Sequence, residues 1–399
     1  MRDGWRETSL GDIAEVIGGG TPSTAIAEYW DGGIVWLTPT EITSQDGKVV
    51  SDSIRKITDL GFKNSGAQML PRDSVILTSR ASVGYVALAG KDLCTNQGFQ
   101  SLIPKQYVLA KFLMFWIQQN RPEFESRSAG STFKEISKSN VKSIKLQLPP
   151  LSEQKRIVDL ISSVDSYIEA LQRQLESAKK SRNAVLHEIL QAGGDDWVEG
   201  KVGDISVLRY GYTESANWDP IGPKFLRITD IQDGQVNWDL VPYCKISDAD
   251  LGLQQLKDGD LVFARTGATT GKSFLVTNPP DSVSASYLIR LRPDQSKVNP
   301  YYLSIFFQSE NYWQQVMAGT SGSAQGGVNA SKLSHLKIQI PPLSRQKMIS
   351  DLIEEMDIHA SKIRDSLNRS QDLRNSMLSD LLSGEHQIPA SYDKVIGAA

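Results

Sequence analysis

Leu148-Pro149-Pro150-Leu151-Ser152-Glu153-Gln154-Lys155-Arg156-Ile157 returns 192 residues later as Ile340-Pro341-Pro342-Leu343-Ser344-Arg345-Gln346-Lys347-Met348-Ile349. The chain has 399 residues, so the offset is nearly half its length, and a tandem duplication is the first reading. Pro149-Pro150 and Pro341-Pro342 each stop an alternating strand, and Ser152 is placed to cap the helix that follows.

Outward from the prolines, the apolar positions Ile157, Ile161, Val164, Ile168, Leu171, Leu175, Ala178, Arg182, Val185 and Ile189 alternate in steps of four and three. The second copy reads Ile349, Ile353, Met356, Ala360, Ile363, Leu367, Ser370, Arg374, Met377 and Leu381, each 192 residues later, including the arginine that interrupts the seam. That is a heptad pattern over ~40 residues, or ~60 Å of helix. Two such helices in one chain are expected to pair. If each globular domain has its entry and exit close together, the second helix returns antiparallel to the first. Off the seam, Leu186 with Leu190 and Leu378 with Leu382 form a further apolar strip, suited to the neighbouring domain or to a partner helix.

Before each helix lies a domain-sized segment. Trp5, Gly11-Asp12-Ile13, Gly19 and Thr21 are matched at the same offset by Trp197, Gly203-Asp204-Ile205, Gly211 and Thr213. Two β-rich stretches follow, Ile34–Ile42 and Phe225–Ile231, and then Val75–Arg80 and Leu261–Arg265. Each of the latter ends in an arginine before a small-residue loop. Helices are predicted over Val108–Gln119 and Tyr301–Gln315, followed by the polar loops Ser128–Thr132 and Gly319–Gln325. The expected fold is α+β: two homologous mixed domains at opposite ends of a two-helix antiparallel coiled coil with pseudo-two-fold symmetry. The boundaries are 1–148 and 193–340 for the domains, 149–192 and 341–383 for the helices, and 384–399 for a tail.

Composition narrows the function classes. No apolar run approaches the ~18 residues of a membrane span, and the first residues lack a signal-peptide core, so a cytoplasmic protein is expected. The two cysteines, Cys94 and Cys244, occupy unmatched places in the repeats, which argues against a disulfide framework or a cysteine metal site. Net charge is −3 overall; residues 1–148 carry 17 basic against 15 acidic side chains, and 193–341 carry 13 against 16. Nucleic-acid binding here has to come from shape or from basic partners.

Motifs for catalysis fail on inspection. Gly267-Ala268-Thr269-Thr270-Gly271-Lys272-Ser273 has three residues between its glycines where a phosphate-binding P-loop needs four. Asn278-Pro279-Pro280-Asp281 has an acid where a base-flipping methyltransferase places an aromatic. His187, His335, His359 and His386 have no metal-ligand spacing, and no nucleophile elbow is present. The chain reads as a binder.

Two divergent domains, each ending in a Leu-Pro-Pro-Leu-Ser-Glu-Gln-Lys-like segment and a long heptad helix, resemble the specificity subunit of type I restriction–modification enzymes. The resemblance spans the chain to about Ser383. It implies two target-recognition domains, each reading half of a split DNA sequence, with the helices as spacer and as docking surface for two methyltransferase subunits. Restriction subunits would join that core for cleavage. It also implies that S-adenosylmethionine, ATP and magnesium are bound by those partners and that this chain is non-catalytic. The competing reading is a two-ended protein-binding scaffold.

On that resemblance, double-stranded DNA is met by loops carrying Arg, Ser, Thr and amide side chains. Arg80 and Arg265 lead, with a salt bridge beneath the loop as their structural alternative. Thr38, Thr40, Arg227, Thr229 and Asp230 come next. The glycine turns add Thr21, Tyr212 and Thr213, and the loops after the arginines add Ser82, Thr266, Thr269 and Lys272. Ser128, Ser131, Thr132, Thr320, Ser321, Ser323 and Gln325 complete the candidates, although solvated turns explain them equally well.

Overall fold

The computed structural model describes residues 4–130, 134–232, 234–267, 269–318, 327–392 and 394. They fall into two compact units, Met1–Gln172 with Ser366–Ala399, and Arg173–Asp365. Each contains one α+β domain and a portion of each long helix.

The first and last strands of each domain pair with one another. Arg6–Ser9 lies antiparallel to Lys145–Leu148 with Arg6 opposite Leu148, and Val198–Lys201 lies antiparallel to Lys337–Ile340 with Val198 opposite Ile340. Chain entry and exit are therefore adjacent in both domains, in the same register 192 residues apart. In the first domain a five-stranded sheet runs in the order Ala14–Gly18, Gln100–Pro104, Val75–Leu77, Val86–Ala89 and Val49–Val50. A three-stranded sheet sets Trp30–Leu37 between Lys56–Ile57 and Cys94–Thr95. The second domain repeats the plan with Ser206–Tyr210, Leu288–Pro293, Leu261–Ala264 and Ser273–Leu275 in one sheet, and Lys224–Leu226 parallel to Ser282–Ser284 in another.

Three predicted elements differ. The stretch Ile34–Ile42 is strand only to Leu37. Pro39–Thr43 is helix, because Thr38 and Glu41 form a capping box with proline in the first turn. Likewise Phe225–Ile231 turns into a 3₁₀ segment at Ile228–Asp230, where the Asp230 carboxylate accepts the Arg227 backbone N–H at 2.8 Å. The helix expected over Tyr301–Gln315 is broken into Pro300–Phe306 and Glu310–Ala318. Buried Ser309 restarts it by accepting the Tyr312 N–H at 3.2 Å.

The long helices run Leu151–Ala192 and Leu343–Ser383, and within each unit they pack antiparallel: Asp165 of the first meets Arg374 of the second, and Arg182 meets Asp357. Ile157, Ile161, Ile168, Leu171 and Leu175 are buried, as are Ile349, Ile353 and Leu367. Val164, Met356 and Ile363 are half-buried. The strip off the seam faces the domains. Leu378 and Leu382 lie in the core of the first unit with Phe112, Phe115, Ile157 and Ile161. Leu186 lies in the core of the second with Tyr302, Phe306, Ile349 and Ile353, and Leu190 packs on its edge.

The glutamine of the repeated motif explains the handover from domain to helix. Gln154 is wholly buried. Its Oε1 accepts the Leu109 N–H at 2.8 Å, and its Nε2 donates to the carbonyls of Tyr107 and Pro149 at 3.0 and 2.9 Å. Gln346 does the same, with the Asn299 N–H at 2.6 Å and the carbonyls of Lys297 and Pro341 at 3.1 and 2.8 Å. An amide satisfies one donor and two acceptors that neither a carboxylate nor an apolar side chain could. In the first domain the Trp5 indole also donates to Glu153 at 2.9 Å.

Candidate nucleic-acid interface

Strand direction decides what shares an edge. Trp30–Leu37 and Cys94–Thr95 are parallel, so Thr38–Glu41 and Asn96–Gly98 emerge side by side. The turns are sewn together by backbone bonds: the Asn96 N–H to Leu37 O at 3.0 Å, Gly20 to Thr95 at 2.9 Å, and Ser79 to Gly98 at 2.7 Å. Thr21 Oγ1 donates to the Gln97 amide oxygen. The polar loop joins the same edge through Ala81 to Lys134 at 3.1 Å and Ile136 to Ser79 at 3.0 Å.

In the second domain Lys224–Leu226 and Ser282–Ser284 are also parallel, and the bonds recur. The Ala285 N–H reaches Leu226 O at 2.9 Å, Tyr212 reaches Ser284 at 2.7 Å, Arg265 reaches Tyr287 at 3.2 Å, and Val328 reaches Arg265 at 3.2 Å. Gly19 and Gly211 mark the closest approach in each copy. A Cβ at Gly19 would sit 2.1 Å from Asn96 O, and one at Gly211 would sit 2.2 Å from Ala285 O, so only glycine lets the turns meet.

The structure thus gathers Thr21, Thr38, Arg80 and Ser82 at one edge of the first domain, with Thr40 exposed on the helix that Thr38 caps. Tyr212, Arg227, Arg265 and Thr266 meet at the matching edge of the second. Several are committed to local structure. Thr38 Oγ1 donates to Glu41 at 2.6 Å. Arg227 binds Asp230 through Nε at 3.0 Å and Nη2 at 2.7 Å, an interaction that raises its pKa further, and leaves Asp230 nearly enclosed. Ser128 Oγ donates to Glu125 O at 2.5 Å. Thr213, Thr229 and Lys272 are exposed and Thr269 half-buried. Partial burial, followed by the charge of Asp250, raises the Tyr212 phenol. Ser131, Thr132, Thr320, Ser321, Ser323 and Gln325 lie outside the described residues.

Sequence reasoning missed Asn96, Gln97, Ser286 and the exposed Tyr287, which belong to the same edges. The Thr-Asn-Gln-Gly run at 95–98, a turn signal directly after a strand, was the available clue. Among the described residues no cluster of His, Cys, Asp or Glu is arranged to hold a metal ion, and no helix is long and apolar enough to cross a membrane.

The repeated domain has counterparts in known proteins. The family model for the type I restriction modification DNA specificity domain matches residues 2–180 and again 194–369. The chain belongs to this family. Among curated members, it is 25% identical to the type I restriction enzyme MjaIX specificity subunit of Methanocaldococcus jannaschii, covering 96% of this chain and 94% of that one. It is also 25% identical to the EcoKI specificity subunit of Escherichia coli K12, over 85% and 84% of the two chains. Its fold is similar to the type I restriction–modification S subunit from M. genitalium, with a TM-score of 0.58, 13% identity, and 95% and 96% coverage. It is similar as well to a chain from a structural study of complex assembly and conformational transition of the type I system, with a TM-score of 0.62, 17% identity, and 96% and 98% coverage.

Proposed function

We propose that this specificity-family chain is the DNA-recognition subunit of a type I restriction–modification complex, each domain reading one half of a bipartite target. The observation that carries this is the duplicated edge: the same parallel strand pair, glycine contact and arginine-bearing loop are built twice from diverged sequence. Diverged side chains on a common frame are what two readers of different half-sites require. The paired helices then set the half-site separation and dock two methyltransferase subunits. Base contacts come from the loop side chains, while phosphate contacts fix register. Methylation and cleavage, with S-adenosylmethionine, ATP and magnesium, belong to methyltransferase and restriction partners.

The second domain's excess of acidic residues, 16 against 13 basic, favours weak binding by the isolated chain and a channel completed by basic partners. The test is a duplex-binding titration with the chain reconstituted with its methyltransferase subunits. Sequence-selective, salt-dependent binding is expected. Sequence-independent binding would reject DNA recognition, and failure to bind DNA alongside capture of proteins at both domains would favour a scaffold.

A further inference from the structure

The matched strands end differently in the two domains. The Ser79 N–H reaches Gly98 O and Ile136 reaches Ser79, while the Arg265 N–H reaches Tyr287 O and Val328 reaches Arg265. Arg265 therefore stands where the first domain has Ser79, one place before Arg80. In the first domain Arg80 Nε meets Glu135 Oε1 at 2.8 Å, and Glu135 bridges both to Arg80 and to Ala129 through the backbone. The position 192 residues after Glu135 is Gly327, followed by Val328 where the first domain has Ile136. Both pairs directly precede caps of matched helices, Ser137 and Asn329. The carboxylate that holds Arg80 therefore has no counterpart in the second domain.

Arg265 rests on an aromatic shelf. Arg265 Cζ lies 4.5 Å from the centre of the Tyr210 ring, and Nη1 donates to Ser286 O at 2.9 Å. Tyr210 is itself fixed, its hydroxyl accepting the Ala330 N–H at 3.3 Å, and the position 192 residues before it is Gly18. Stacking and one carbonyl bond fix the plane of a guanidinium without neutralising it. Among the described residues Arg265 Nη2 has no partner. A planar, charged fork with donors to spare at a recognition edge matches the O6 and N7 acceptors of guanine.

We propose that Arg265 is the guanine-reading residue of the second domain, its fork held open by Tyr210 and Ser286, whereas the first domain has Ser79 at that place and pairs the next residue, Arg80, with Glu135. This rests on the DNA-recognition reading above. The guanine falls in the half-site read by the second domain, and Arg80 reads no guanine while Glu135 holds it.

The test uses the reconstituted complex on its own methylation target, with each guanine replaced in turn by 7-deazaguanine, which lacks the N7 acceptor. One replacement in the second half-site should weaken wild-type binding on the order of 10- to 100-fold. Arg265→Ala, which removes every donor of the fork, should be insensitive to that replacement, with the first half-site still read. Tyr210→Ala, which removes the shelf under an intact Arg265, should lower the same discrimination about tenfold and serves if the Arg265 variant does not fold. Unchanged discrimination in both variants, or equal loss at both half-sites, overturns the assignment while leaving DNA recognition standing. A wild-type complex with no sequence preference would instead sink the reading on which the assignment rests.

Discussion

Arg182 clasps Asp357 across the two long helices with a two-pronged contact, Nε to Oδ1 at 2.9 Å and Nη2 to Oδ2 at 3.0 Å. The repeat holds the same pair: Arg374 Nε reaches Asp165 Oδ1 at 2.6 Å. An arginine at a seam position is costly unless paired, and a polar pair at one place in a heptad array specifies register. The two environments have diverged around that shared role. Tyr301 OH donates to Asp357 at 3.0 Å and Arg182 also reaches Gln308 at 2.8 Å, whereas Arg374 stacks 5.5 Å from the centre of Phe115.

Arg182→Ala should therefore destabilise its unit by about 1.5–3 kcal/mol, the worth of hydrogen bonds to a charged group. Arg374→Ala should cost less, because fewer bonds are lost. Denaturant titration of the four members of an Arg182/Asp357 double-mutant cycle measures this directly, and a coupling near zero would remove the register role.

The buried glutamines make a second prediction. Gln346→Ala strips partners from the Asn299 N–H and from two carbonyls, and each unsatisfied buried group costs about 1–3 kcal/mol. A substantial loss of stability is expected, with Gln154→Ala behaving alike in the other unit. Gln346→Glu should be no better, since a carboxylate faces two carbonyl acceptors. Calorimetry of both glutamate and alanine variants checks the point; a tolerant Gln346→Glu would mean that water or backbone movement absorbs the change.

How much of this was legible beforehand follows the range of the interactions. The Pro-Pro markers, heptads and matched arginines are local and periodic, so the duplication and the paired helices could be read from spacing alone. The Thr38–Glu41 capping box was also local, yet the β-branched run beside it favoured a strand and the helix was missed. The partner of Arg80 was not legible at all. Glu135 lies 55 positions away, and only the hydrogen-bonded crossing of two loops puts it there. Arg227 is tied to a partner for the opposite reason: Asp230 is three residues on, within reach of a cap.

The two cysteines give a pH-dependent prediction. Burial pushes the Cys94 thiol up to about 12 and the Cys244 thiol up to about 11, from an ordinary 9.0. Both folded values lie above the unfolded one. The fold thus favours the neutral thiol, and this contribution is complete below about pH 8.5 and fades as pH rises through 11 to 12. At pH 8 neither thiol should react with Ellman's reagent until the chain is unfolded. Rapid modification of the native protein at that pH would contradict the burial of both residues.

The ruler role can be tested without touching either recognition edge. Removing residues 168–174 and 360–366 takes one heptad from each helix and preserves the seam, because seven residues return each remaining apolar side chain to its face. Both Arg–Asp pairs and the glutamine clamps survive. The helices shorten by about 10 Å at 1.5 Å per residue, close to three base pairs at roughly 3.4 Å each. The variant should fold, and methylation mapping in cells should show either the same two half-sites at a shorter spacing or no modified target. An unchanged target would show that the helices do not set the separation, since a continuous seam of altered length could not otherwise leave it fixed.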